Sequence, residues 1–250
     1  TMGRIIAVAN QKGGVGKTTT AVNTAAALAA MKRAVLLIDI DPQGNATTGS
    51  GLDKHALERS TLEALMGERQ LVECIQRSPE AGYDVLPANA DLTAAEVRLL
   101  EAPLREKRLS IALEPAVATY DYILIDCPPS VHASQTLAVL EFADFALIPV
   151  QPSPVDLWAT VHIEKAINEA REVNPALKAM LVINQIEART TLSKLVREVL
   201  SEIALPVADT AIRRRAVYRN SALEGKSVFD IGKRGAEAAA ELDSLIREVI

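Results

Sequence analysis

At 250 residues with 49% apolar side chains, the chain has the material for a sizeable core, and only 3% aromatics make that core aliphatic. A net charge of −5 excludes a uniformly basic nucleic-acid binder, so any such surface has to be local. Cys74 and Cys127 match no metal-ligand spacing and read as reduced core thiols, no uninterrupted apolar run reaches the length of a membrane span, and no charged-then-apolar leader opens the chain.

In chain order, residues 4–9 form a short β-branched run that stops at a Gly-rich turn, and from Lys17 to about Met31 the pattern becomes helical and Ala-rich. Residues 34–39 read as a second buried strand, and 83–87, 122–126, 145–149 and 179–183 repeat the theme. Amphipathic stretches such as 154–173 and 192–203 lie between most of them. Apolar strands alternating with helices imply right-handed crossovers and an α/β fold, a mostly parallel twisted sheet flanked by helices. Several strands end in a carboxylate or a small polar residue, where open α/β sheets bind ligands. With no linker, repeat or low-complexity segment, residues 1–250 read as a single domain. Near the end, Leu242, Leu245, Ile246 and Val249 recur at helical spacing, and that face is expected to dock on the core.

The turn after the first strand is Asn10-Gln11-Lys12-Gly13-Gly14-Val15-Gly16-Lys17-Thr18-Thr19. Glycines let successive backbone N–H groups converge on phosphate oxygens, and the following helix adds its positive end. Lys17 supplies charge to the β/γ-phosphates and the Thr18 hydroxyl can ligate Mg²⁺. The end of the string is that of a P-loop, but Gln11 stands where the usual pattern has its first glycine, and an extra lysine, Lys12, precedes Gly13 and Gly14. A chance Gly-rich turn would lack the strand before it and the helix after it.

This deviant Walker A loop resembles that of the ParA/MinD family of P-loop ATPases, and other segments agree. Asp39-Ile40-Asp41-Pro42-Gln43-Gly44-Asn45 is similar to the family's second nucleotide motif. Residues 122–126 followed by Cys127-Pro128-Pro129 look like its Walker B strand and the stiff switch after it, and Val182-Ile183-Asn184-Gln185 is similar to the segment whose Asn reads the adenine edge. The N-terminal half looks most like chromosomal partition ATPases, whereas 210–214 and 227–230 look like the short plasmid-partition branch. The resemblance implies ATP and Mg²⁺ as cofactors and ATP hydrolysis that is weak without a partner. It assigns Lys12, Gly13, Gly14, Val15, Gly16, Lys17, Thr18 and Thr19, with Asn184 and Arg213, to the nucleotide. Thr18 and Asp126, the latter through water, are assigned to Mg²⁺; Asp39 is either an outer partner of the metal or simply ends its strand. Asp41 is expected to orient the attacking water, and Lys12 to reach across an ATP-dependent homodimer to the phosphates of the other subunit; with Lys17 they make up the catalytic set.

From Arg213 to Arg234 the chain holds seven basic residues against Glu224 and Asp230, whereas from 235 to 250 four acids face only Arg247. Such concentration is the footprint of phosphate-backbone contact. By resemblance, Lys226 first, then Lys233 and Arg234, with Arg214, Arg215 and Arg219, are the candidates for binding duplex DNA of the nucleoid without sequence preference; the bland alternative is an ordinary solvated face. The implied partners are a second copy, that DNA and a ParB/ParG-like activating adaptor, with no membrane; the implied location is cytoplasmic and nucleoid-associated. A MinD-like membrane-cycling ATPase, the alternative, would need a basic amphipathic C-terminal helix with bulky apolar residues. A nitrogenase-reductase relative would need paired interface cysteines, a P-loop synthetase substrate-binding insertions, and an operon repressor an N-terminal helix-turn-helix.

Overall fold

The computed structural model describes residues 2–10, 16–129, 134–187 and 192–250. Seven strands form one sheet: β1 Arg4–Val8, β2 Val35–Asp39, β3 Gln76–Arg77, β4 Asp84–Leu86, β5 Tyr122–Asp126, β6 Phe145–Val150 and β7 Lys178–Ile183. Their order across the sheet is β3-β4-β2-β5-β1-β6-β7, and every pairing is parallel except that of the two-residue edge strand β3 with β4. The expected strands are present to within a residue or so at each end; β3, too short to carry a period, went unread.

The helices are α1 Lys17–Ala30, α2 Asn45–Gly49, α3 Thr61–Leu65, α4 Leu71–Cys74, α5 Leu92–Leu100, α6 Arg108–Thr119, α7 Ser134–Leu140, α8 Pro154–Val173, α9 Lys194–Glu202, α10 Ala216–Leu223 and α11 Ala236–Val249. Strand alternation divides the core between the two faces of the sheet. Ile5, Ala7, Leu36, Ile38, Ile123 and Ile125 face one cluster, shared with α5, α6, α8 and α9; Ile6, Val8, Leu37 and Leu124 face the other, shared with α1 and α11. Leu242, Leu245, Ile246 and Val249 of α11 are buried in that second cluster, as their spacing predicts. Both cysteines are free and buried.

The chain runs from β1 to β2 on one side of the sheet and crosses from β5 to β6 on the other. β1 is therefore the point at which the topology switches direction, and the crevice beyond its carboxyl end is where such sheets take ligands.

Candidate active site

Three neighbouring strands end together at this crevice: Val8 of β1 is in register with Asp126 of β5, which is in register with Asp39 of β2. Lys12, Gly13, Gly14 and Val15 lie outside the described residues. The described part of the loop resumes at Gly16, whose φ of +83° suits glycine; a Cβ there would come within 1.8 Å of Asn184 Nδ2. Gly16 thus brings the P-loop and the predicted adenine-reading residue into contact, although they are 168 positions apart.

α1 begins without a side-chain cap and without an acid in its first turn, and its first residue is a lysine. Unsatisfied N–H groups with a cation added at the positive end of the dipole disfavour the helix unless an anion sits there. Lys17 Nζ lies 2.8 Å from Asp126 Oδ1, and Thr18 Oγ1 donates to Asp126 Oδ2 at 2.9 Å. Lys17 and Asp126 are both buried. Burial opposes the Lys17 charge, but the Asp126 carboxylate more than offsets it and holds the ammonium above its ordinary pKa. Burial raises the Asp126 carboxyl in spite of Lys17 and Thr18.

Asp39 is fully buried and accepts three hydrogen bonds. Oδ1 accepts from Asp41 N at 3.0 Å; Oδ2 accepts from Thr47 N at 2.9 Å and from Thr47 Oγ1 at 2.7 Å. Burial, with Asp126 next door, pushes its carboxyl up to about 7 against those hydrogen bonds. These contacts hold the turn that follows β2. Asp41, also buried, accepts from Gln43 N at 3.0 Å through Oδ1, while Oδ2 has no hydrogen-bond partner among the described residues. Cys127, beside Asp126, is inert as a nucleophile: burial pushes its thiol up to about 12.

A cavity of about 560 Å³ adjoins Thr18 and is lined by Gly16, Thr18 and Thr19 on one side and by Asn184, Gln185 and the 212–215 segment on the other; Lys17, Asp39, Asp41 and Asp126 are not on its wall. Arg213 is on its wall. So are Arg214, Arg215, Arg219 and Lys226, named above as candidates for binding DNA. The fold also neutralises much of the basic segment. Arg213 and Arg215 pair with Glu241, Arg215 also with Glu237, Arg214 with Glu187 and Arg234 with Glu224. Arg219, Lys226 and Lys233 have no ion pair among the described residues. The acidic tail counted separately in the sequence is thus folded against the basic run. The spacing of Glu237 and Glu241, one turn apart on α11, was the available signal for it. Thr47, which holds Asp39 by two bonds, had none.

Residues 3–183 match the family model described as an AAA domain. The sporulation initiation inhibitor protein Soj of Bacillus subtilis is 39% identical over 96% of this chain and 97% of its own, and the chromosome partitioning protein ParA of Caulobacter vibrioides is 38% identical over 99% and 94%. The chain belongs to the ParA/MinD family of P-loop ATPases. Among solved structures, a Mycobacterium smegmatis protein described as cobyrinic acid a,c-diamide synthase, with bound ADP and magnesium, superposes with a TM-score of 0.83 at 34% identity, covering 99% of this chain and 96% of that one. ATP and Mg²⁺ are the cofactors, and the uncapped α1 terminus, Lys17, Thr18 and the Asp126 carboxylate suit them. Among the described residues no helix is long and apolar enough to cross a membrane.

Proposed function

We propose that this P-loop ATPase is a ParA-type partitioning or positioning ATPase whose ATP-bound dimer binds duplex DNA and releases it on hydrolysis, moving a plasmid, a chromosome or a protein assembly. The observation that carries the reading is the convergence of Lys17, Thr18, Asp126 and Asp41 at the carboxyl ends of β1, β5 and β2. Phosphoryl transfer to water asks a protein mainly to neutralise charge and position the nucleophile. In this reading Lys17, with the loop amides of residues 12–16, holds the phosphates. Thr18 and Asp126 would hold Mg²⁺, which would supply Lewis-acid neutralisation of developing charge. Asp41, with one oxygen tied to Gln43 N, offers its other oxygen to the attacking water. Asn184 and Arg213 receive the base, and Lys12 acts in trans, making dimerisation depend on ATP and neutralising charge in the transition state. An activating adaptor accelerates a turnover that is slow without it.

Arg219, Lys226 and Lys233, which have no ion pair among the described residues, are the favoured phosphate contacts of the DNA, with Arg234 next. α11 buries its apolar residues in the core, which leaves little to insert into a membrane and favours the DNA-bound reading over the MinD-like one.

The test is Asp41→Ala with ATP and Mg²⁺. It should bind ATP and give a persistent dimer by light scattering while hydrolysing at least about 100-fold more slowly. A variant that hydrolyses ATP normally removes Asp41 from the chemistry. Release of phosphate from ATP with no organic acid present separates this reading from the synthase activity named for the M. smegmatis protein.

A further inference from the structure

We propose that Thr47 is a positioning residue for ATP hydrolysis, acting on Asp41 through Asp39; the inference rests on the reading of Asp41 as the group that orients water. The connection is a chain of buried hydrogen bonds. Ala88 N donates to Thr47 Oγ1 at 2.9 Å, which leaves the hydroxyl proton to be given to Asp39 Oδ2 at 2.7 Å. Thr47 N adds a second bond to the same oxygen at 2.9 Å. The other oxygen of Asp39 accepts from Asp41 N at 3.0 Å, and Asp41 Oδ1 accepts from Gln43 N. Thr47 and Asp39 are completely buried and Asp41 is 5% exposed, so no water replaces a bond lost from this chain.

The directions of these bonds matter. A carboxylate held on one oxygen by two donors cannot rotate about its Cβ–Cγ bond without leaving both, so its second oxygen is a fixed acceptor for the Asp41 amide. That amide sets where the Asp41 carboxylate points. Thr47 sits at the start of α2, clamped by Ala88 just beyond β4, so the geometry of Asp41 is referred to the sheet and not to its own loop. Removing only the hydroxyl leaves the Thr47 N–H bond, frees Asp39 to turn, and lets Asp41 drift while Lys17, Thr18 and Asp126 stay in place.

Thr47→Val removes the hydroxyl at nearly constant volume, Thr47→Ala does so with less bulk, and Thr47→Ser keeps it. Rates are measured on the full chain with Mg²⁺ and normalised to sites that bind a fluorescent ATP analogue, so that misfolded protein does not count. The expected result for Thr47→Val is a fall in kcat of about 10- to 100-fold with KM for ATP unchanged within about twofold, and near-complete recovery in Thr47→Ser. In an Asp41→Ala background, Thr47→Val should cost nothing further, because it acts through that residue. Normal kcat per bound nucleotide in Thr47→Val, a loss that Thr47→Ser does not restore, or an additive loss in the double variant would each overturn the proposal. Loss of nucleotide binding in both hydroxyl-free variants would also overturn it, making Thr47 a folding residue. If Asp41→Ala itself keeps wild-type turnover, the underlying reading fails with it; if Asp41→Ala is inactive while Thr47→Val is normal, the proposal alone fails.

Discussion

Lys17 neutralises Asp126 inside the protein at the head of α1, and in the proposed reading the same ammonium also serves the phosphates. Lys17→Ala should lower ATP affinity at least about 100-fold by calorimetry, roughly 2.7 kcal/mol. Unchanged affinity would mean that the loop amides and Mg²⁺ hold the nucleotide without it. For DNA, binding with ATP should weaken with salt by about 0.9 in log K per neutralised phosphate for each unit of log[salt]. Lys226→Ala and Lys233→Ala should each flatten that slope by about 1, or about 2 in a symmetric dimer. Lys233 is the cleaner probe because it does not line the nucleotide cavity, so its loss should leave ATP affinity alone. Equal slopes would take both lysines off the DNA. At this scale legibility was uneven. Lys17 and Thr18 could be named from the Gly-Lys-Thr string between strand and helix, whereas Asp126 and Asp41 were named through the family resemblance of their segments. The partners of Arg213 and Arg215 could not be, since Glu237 and Glu241 reach them only through the docking of α11.

Among the elements, α11 was legible from its period alone, because one apolar stripe on an acidic helix needs a core to cover it. Leu245 is completely buried in the cluster that includes α1, so Leu245→Ala should destabilise the chain by about 2–5 kcal/mol, read as a shift in the urea midpoint at constant slope. A change below about 0.5 kcal/mol would show that the helix is dispensable to the core and free to serve elsewhere. α2 and α10 were not legible. α2 is five residues long and starts at Gly44 with no side-chain cap hydrogen bond of its own, its third amide being taken by Asp39, so neither period nor capping pattern marks it. α10 follows a run of arginines that reads as a charged surface, whereas in the fold it is a wall of the cavity beside Gly16 and Thr18.

For the molecule as a whole, alternation of apolar strands and helices was enough to read a parallel sheet, but strand order was not, because the inner strands are nearly interchangeable in composition. Only the topology puts β1 in the interior of the sheet. Its neighbours are far away along the chain: Arg4 is in register with Tyr122 of β5, and Ile6 with Phe145 of β6. This has a consequence for biosynthesis. At about 5–20 residues per second, β1 leaves the ribosome roughly 6–24 s before the first residue it pairs with. During that interval a run of five residues, four of them apolar, has both hydrogen-bonding edges open. Nucleotide cannot assist at this stage, because Asp126 and Asn184 are made later still. ATP can stabilise the finished fold, but it cannot nucleate it.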